Sequence, residues 1–126
     1  MSSFGKKQWL IPDMYWPENT APDGVYVSHE AICVINASDQ DCEIEIDFLF
    51  EKREPICGVK AVCSAMRTNH IRLDQLKNSD GDPLIPRGVG YAAVVRCSIP
   101  AAVQYTRVDT SQPELALMST MAFPVD

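Results

Sequence analysis

The chain lacks a basic segment. Its 126 residues carry 17 acidic and 11 basic side chains, which gives a formal net charge of −6. Residues 1–63 contain 11 acids against 5 bases, whereas residues 64–126 contain 6 of each. Because a negative surface repels phosphate backbones, this composition argues against nucleic acid as a partner.

Long apolar runs are also absent. No stretch approaches the roughly 18 residues that a membrane-spanning helix needs, and the opening Met1-Ser2-Ser3 is not followed by the apolar core of a secretory signal. The cysteines are odd in number and form no C-x-x-C pair: Cys33, Cys42, Cys57, Cys63 and Cys97. We therefore expect no membrane insertion, a cytoplasmic location and reduced thiols rather than a disulfide framework.

Internal repeats and long amphipathic helices are missing as well, and what is present is β-type alternation. It is clearest over 42–50, where apolar residues alternate with Glu43, Glu45 and Asp47. Short segments of this kind are separated by turn signals along the whole chain. The pattern predicts an all-β fold, an antiparallel β-sandwich of about eight short strands in a single domain over 1–126.

Prolines set two of the predicted boundaries. Pro12 is expected to end a first strand over 5–11, and residues 12–24, with three prolines and an Asp-Gly pair, are expected to form a packed loop. Pro100 is expected to end a strand over 92–98. Residues 99–124 then read as two strands joined by a polar connector.

Two apolar segments exceed what one small sandwich buries. Residues 31–35 are apolar on both faces, and the tail 115–123 is nearly all apolar. We therefore expect an oligomer that covers part of this surface.

No catalytic or metal motif emerges from the sequence. Ser28, His29 and Glu30 are adjacent on a predicted strand, so their side chains alternate between its faces and cannot form one triad. His29 and His70 are the only histidines, and no spacing joins them to cysteines as zinc ligands. The sequence therefore predicts no enzyme, no metal and no cofactor.

Polar residues interrupt strand-like segments in three places, and the first is Glu30, next to the apolar run 31–35. Arg67, His70 and Arg72 make 67–72 rich in hydrogen-bond donors, which suits hydroxyl, carboxylate or phosphate groups. Gln104, Thr106 and Arg107 do the same in the strand after Pro100. Each set fits either a ligand site or a contact between strands or subunits, and the residue pattern leaves both interpretations open.

Several segments, taken in order, resemble the soluble sensory rhodopsin transducer family. They include G-K-K-Q-W at 5–9, S-H-E-A-I-C-V-I-N-A-S-D at 28–39, R-T-N-H-I-R at 67–72, V-Q-Y-T-R-V-D-T-S-Q at 103–112 and A-L-M-S-T-M-A at 116–122. The resemblance implies an all-β sandwich, a cytoplasmic homotetramer and a sensing role without enzymatic activity. Residues 12–24 and 52–58 differ from the photoreceptor-linked branch, so the prediction does not include a rhodopsin partner.

These observations lead to two hypotheses. In the first, the chain is a non-enzymatic module that binds a small polar, carbohydrate-like ligand, with Trp9 as a stacking wall. Its predicted polar contacts are Glu30, Arg67, His70, Gln104, Thr106 and Arg107. In the second, the same polar groups satisfy one another between subunits of an oligomeric signalling protein. A β-sandwich hydrolase is the least favoured alternative, since only fold analogy supports it.

Overall fold

The computed structural model describes residues 4–19 and 26–126, which form eight strands and one short 3₁₀ turn. The strands are β1 (Lys6–Tyr15), β2 (His29–Asn36), β3 (Cys42–Phe50), β4 (Ile56–Cys63), β5 (Arg67–Arg72), β6 (Gly90–Asp109), β7 (Ala116–Met121) and β8 (Phe123–Val125). The 3₁₀ turn is Leu73–Gln75. All strand pairings are antiparallel, and the predicted all-β class is confirmed.

The long strand β6 belongs to two sheets. Its first half pairs with β1 and β3, and these are flanked by β8 and β4, which gives sheet A the order β4-β3-β6-β1-β8. Its second half pairs with β2 and β7, and β5 flanks β2, so sheet B has the order β5-β2-β6-β7. One strand thus fixes the relative positions of both sheets.

Pro100 does not end a strand, contrary to the prediction, because β6 continues through it. The last pair with β3 is at Cys97 and the first pair with β2 is at Ala102. The ladder with β1 is also irregular here, between its pairs at Arg96 and Ala101. The missing N–H of Pro100 therefore falls at the switch between sheets, where it interrupts no regular ladder.

The first strand is also longer than predicted. It passes Pro12 and ends at Tyr15, with a register shift between Ile11 and Met14 that places Pro12 and Asp13 in a bulge. The predicted loop is therefore a strand up to Tyr15. Residues 16–19 pack down as expected, since the Trp16 indole donates to the Ser28 carbonyl at 2.9 Å; residues 20–24 of that prediction lie outside the described residues.

A single apolar cluster draws on both sheets. Its largest fully buried members are Ile11, Met14, Ile32, Ile44, Ile46, Phe48, Leu73, Ile85 and Tyr105. Strand β2 contributes Ile32 and Val34, whereas its outer side chain Ile35 remains 53% exposed. The outer face of 31–35 is therefore not covered within one chain, and its cover by an oligomer stays a prediction.

The cysteines are all free thiols, and Cys42, Cys63 and Cys97 are buried. Burial raises the pKa of the Cys97 thiol to about 12, and the neighbouring Cys42 adds to that rise. These three thiols therefore act as small apolar core groups. Within residues 4–19 and 26–126, no helix has the length and apolar character that crossing a membrane requires.

Candidate functional site

A buried glutamate lies where the two halves of the fold meet. Glu30 is 1% exposed and sits on β2 directly opposite Arg107 of β6. Its carboxylate accepts hydrogen bonds from the Tyr91 hydroxyl at 2.5 Å, from the Tyr105 hydroxyl, and from the backbone N–H of Tyr15 at 2.9 Å. Three strands therefore converge on one carboxyl group, and we call Glu30, Tyr15, Tyr91, Tyr105 and Arg107 the Glu30 cluster.

Arg107 places a positive charge beside this carboxylate. Its Nε donates to the Tyr105 hydroxyl at 3.1 Å, so Tyr105 stands between Arg107 and Glu30. The guanidinium lies 5.6 Å from the Tyr105 ring centre and 5.9 Å from that of Tyr15, distances at which aromatic faces attract cations. Its Nη2 is buried without a hydrogen-bond acceptor, and the nearest carboxylate, that of Asp13, is 3.9 Å away. One donor of the cluster is thus left unused.

Burial dominates the electrostatics of the cluster. Removal from water raises the pKa of Glu30 above its usual value, although its hydrogen bonds to Tyr105, Tyr91 and Tyr15 and the charge of Arg107 oppose that rise. Burial also raises the pKa of Tyr91 and of Tyr105, and the adjacent Glu30 reinforces both shifts. Both hydroxyls are therefore protonated at neutral pH and available as donors.

The raised pKa of Glu30 predicts a pH-dependent stability. Because ionisation costs more in the folded chain than in the unfolded chain, the stability contribution of Glu30 is full below its ordinary pKa of 4.5 and falls as pH rises to the folded value. We therefore expect the unfolding free energy of the wild type, minus that of Glu30→Gln, to decrease over this interval. Urea titrations of both proteins from pH 4 upward measure this difference, and a difference that rose with pH would contradict it.

Two shallow cavities flank the bulge in β1. The first, which we call the Tyr91 cavity, has a volume of about 310 Å³ and is lined by Pro12, Asp13, Leu49, Phe50, Glu51, Gly90, Tyr91 and Ala92. The second, which we call the Met118 cavity, has about 250 Å³ and is lined by Ile11, Pro12, Asp13, Met118, Thr120, Met121 and Phe123. Asp13 borders both, and its side chain is 90% exposed. The bulge therefore presents an exposed carboxylate between two largely apolar cavities, next to Arg107.

The structure separates five of the seven sequence-predicted site residues into two groups. Glu30 and Arg107 meet in the buried cluster. His70, Gln104 and Thr106 lie on the opposite, outer face of sheet B, where His70 and Gln104 border a groove of about 160 Å³. The expected single polar cluster is therefore not formed, because Gln104 and Thr106 alternate with Tyr105 and Arg107 along β6.

The remaining two predicted residues lie elsewhere. Arg67 is exposed at the start of β5, and its guanidinium donates to the Met66 carbonyl at 3.0 Å. Trp9 is 5% exposed, and its indole N–H is shared between the carbonyls of Lys6 and Ala101, each at 3.0 Å. An indole held in the core in this way does not offer a free stacking wall.

Sequence reasoning missed Tyr91, Tyr105, Tyr15 and Asp13. Tyr91 and Tyr105 occupy inward positions of β6, and a buried tyrosine hydroxyl needs a partner. This requirement could have linked the two tyrosines to Glu30, because Glu30 is the one acidic residue of β2. The bulge that exposes Asp13 had no comparable signal, because it arises from the register between β1 and β6.

Other polar groupings have local partners. Ser28 Oγ lies 3.0 Å from Thr110 Oγ1, whereas His29 Nδ1 lies 2.9 Å from the Val27 carbonyl, so Ser28, His29 and Glu30 do not act together. Another cavity, of about 450 Å³, lies on the outer face of β3, β4 and β6, where Lys60 pairs with Glu45 at 2.8 Å. Among the described residues, no three His, Cys, Asp or Glu side chains are grouped to hold a metal ion.

The chain is similar to known proteins over nearly its whole length. The family model described as "Anabaena sensory rhodopsin transducer" matches residues 4–124. The crystal structure of Thermotoga maritima 1070 is 31% identical, with a TM-score of 0.84 and 96% of each chain covered. The structure of the Anabaena sensory rhodopsin transducer is 32% identical, with a TM-score of 0.70, over 82% of this chain and 89% of that one. No functionally curated protein matches the sequence. The chain therefore belongs to the Anabaena sensory rhodopsin transducer family.

Proposed function

We propose that this protein is a non-enzymatic, cytoplasmic sensing and signal-transducing module that binds a small polar ligand and works as a homo-oligomer, a homotetramer by its family resemblance. The observation that carries the proposal is the Glu30 cluster beneath the β1 bulge. A carboxyl group is buried there beside a half-buried guanidinium, and one buried guanidinium nitrogen of Arg107 lacks an acceptor. Buried charge with unused hydrogen-bonding capacity beside a cavity is typical of a binding site.

The chemistry around the bulge favours a ligand that carries hydroxyl groups. A hydroxyl both donates and accepts, so it matches the free Nη2 donor of Arg107 and the carboxylate of Asp13, which are 3.9 Å apart. Asp13 is exposed, so its side chain can turn to admit such a group. Phe50 and Tyr91 supply an aromatic wall, since their rings stack at 5.8 Å. A carbohydrate-like compound combines these features, with apolar faces between hydroxyls.

Family membership supports the signalling part of the proposal. One relative is named as a sensory rhodopsin transducer. For this chain we propose the transducing role without a rhodopsin partner, as residues 12–24 and 52–58 led us to expect from the sequence. The input would then be the ligand, and the output would be a contact made by the exposed strands of sheet B.

Thermal-shift screening tests the ligand proposal. We expect at least one sugar, polyol or sugar acid to raise the melting temperature of the wild type, because a ligand that binds the folded state stabilises it by mass action. Asp13→Asn is expected to reduce that rise at a given concentration while it leaves the melting temperature of the free protein nearly unchanged, since Asp13 is exposed.

Asp39→Asn, an exposed acid in the turn after β2, is the matched control and is expected to respond as the wild type does. A screen in which no compound raised the melting temperature would contradict the proposal. An equal response of wild type and Asp13→Asn would place the ligand elsewhere than the bulge.

A signalling protein that needs no small ligand is the second candidate. The exposed apolar residues of β7 favour it, since they suit a protein contact. A stable oligomer in light scattering, combined with a negative thermal-shift screen, would favour this candidate over the first.

A further inference from the structure

A thiol and an imidazole face each other on the outer face of sheet B. Cys33 of β2 is the direct cross-strand partner of His70 of β5. The next pair along the ladder, Ile32 with Ile71, is buried in the core, so the thiol and the imidazole point outward. Directly opposite residues of an antiparallel pair have Cβ atoms about 4.5–5.5 Å apart. In the part of the chain that the structure describes, no other strand pairing sets a cysteine opposite a histidine.

Both side chains border the shallow groove of about 160 Å³ on this face. Gln104 of β6 flanks Cys33 on the side away from His70, but its amide donates to Ser119 Oγ at 2.7 Å and is therefore engaged with β7. The residues that line the groove include no aspartate, glutamate, lysine or arginine. The groove thus offers a thiol and an imidazole in uncharged surroundings, without the carboxylates that calcium and magnesium prefer.

The charges around the pair do not oppose a cation. Arg72 follows His70 by two residues and shares its face of β5. Its guanidinium makes a bidentate pair with Asp74, with Nε and Nη2 each 2.8 Å from a carboxylate oxygen, so its charge is balanced. Burial raises the pKa of the Cys33 thiol, although a hydrogen bond from the Thr106 hydroxyl opposes that rise. The thiol therefore keeps its proton at neutral pH until a metal ion displaces it.

We propose that Cys33 and His70 together bind copper(I), a soft monovalent ion. Thiolate ligands select copper(I), and imidazole is also a good ligand for copper. Copper(I) is stable with two ligands in a nearly linear arrangement, whereas zinc takes four. No third His, Cys, Asp or Glu of the described residues completes this group, which favours the ion that needs only two. On binding, a bond forms between copper and Cys33 Sγ, the thiol proton passes to solvent, and the copper stays monovalent.

This copper site is separate from the Glu30 cluster. The side chains of Glu30 and Cys33 leave β2 on opposite faces, so sheet B lies between the two sites. Copper binding therefore does not depend on the ligand proposed for the bulge, and either can fail without the other. The sequence predicted no metal because no spacing joins a histidine to a cysteine. The register of β2 with β5 supplies that pairing between residues that are far apart in the chain.

Competition with a chromogenic chelator tests the site. Reduced wild-type protein is titrated without oxygen into copper(I) held by bathocuproine disulfonate, whose colour is lost as the protein takes up the metal. We expect the wild type to bind a single copper(I) per chain. Cys33→Ser and His70→Gln are each expected to bind it at least about tenfold more weakly, because losing even an outer-shell partner of a metal ligand costs about 10–100-fold in affinity. Cys57→Ser, which removes an exposed thiol elsewhere, is the matched control and should keep the wild-type affinity.

A wild type that takes no copper from the chelator, or that binds it no more tightly than either Cys33→Ser or His70→Gln, would overturn the copper site. Displacement of the copper(I) by an equal concentration of zinc would overturn the choice of metal. NMR of the isotope-labelled, unmutated protein gives a reading that does not depend on how the variants fold. Copper(I) should shift the amide signals of Cys33 and His70 and leave that of Tyr91 unchanged, whereas shifts centred on Cys57 would overturn the site.

Discussion

Glu30→Ala is expected to lower the free energy of unfolding by at least about 3 kcal/mol. The change removes the carboxylate that accepts hydrogen bonds from the Tyr91 hydroxyl, the Tyr105 hydroxyl and the backbone N–H of Tyr15. Each buried donor left without an acceptor costs about 1–3 kcal/mol. Arg107 also loses a nearby carboxylate, to which its Nε is linked through the Tyr105 hydroxyl, and this loss adds to the cost. Urea unfolding at neutral pH measures the loss.

Two comparisons identify the origin of that loss. Glu43→Ala, at an exposed position of β3, should change the unfolding free energy by no more than about 0.5 kcal/mol. The double variant Glu30→Ala/Arg107→Met should lose less unfolding free energy than the sum of the two single variants. The reason is that Arg107→Met removes a positive charge that Glu30→Ala leaves without its carboxylate. Additive losses would mean that Glu30 and Arg107 do not interact through Tyr105.

Gly5→Ala is expected to destabilise the fold by about 1–3 kcal/mol more than Gly81→Ala. Both glycines have positive φ, +91° and +83°, so both substitutions bear the same backbone strain. A Cβ at Gly5 would lie 2.0 Å from the Ala101 carbonyl oxygen, whereas a Cβ at Gly81 would meet no atom within 4 Å. The Ala101 oxygen also accepts from the Trp9 indole, so moving it away disturbs a core contact.

Urea unfolding measures the loss of stability in each variant. Because both variants bear the same backbone strain, the difference between the two losses reports the close contact at Gly5. Trp9 fluorescence should also change in Gly5→Ala, since its indole hydrogen bond depends on the position of the Ala101 carbonyl. Equal losses of stability in the two variants would show that the contact between Gly5 and β6 relaxes without cost.

The alternation of apolar and polar residues predicted strands best where one face of the strand is buried and the other is exposed to solvent. Residues 42–50 satisfy that condition, and β3 has the predicted bounds with Ile44, Ile46 and Phe48 buried. Proline-based boundaries were less successful. Pro12 and Pro100 both lie inside strands, because each falls at a break in the ladder where no amide hydrogen is required. Sequence shows the missing N–H but not whether a neighbouring strand needs it.

The candidate site shows the same division. Polar residues within strand-like segments pointed to Glu30 and Arg107, and these do lie opposite each other across β2 and β6. The same reasoning grouped them with His70, Gln104 and Thr106, which face the other way. Side-chain alternation within β6 was readable from the sequence, but the pairing of β6 with β2 and β5 was not. Without that register, the sequence does not show whether polar residues from different strands share one face of the sheet or lie on opposite faces.

The sequence by itself determined the all-β class, the family, the inward and outward faces of individual strands, and the uncharged character of residues 115–125. These properties depend on local composition and on the two-residue period of a strand. The tertiary structure alone decided that β6 passes from one sheet to the other, that three strands meet at the Glu30 carboxylate, and that β7 is left at an edge. Such contacts join residues far apart in the chain, and they depend on which strands pair and in which register, which no local pattern encodes.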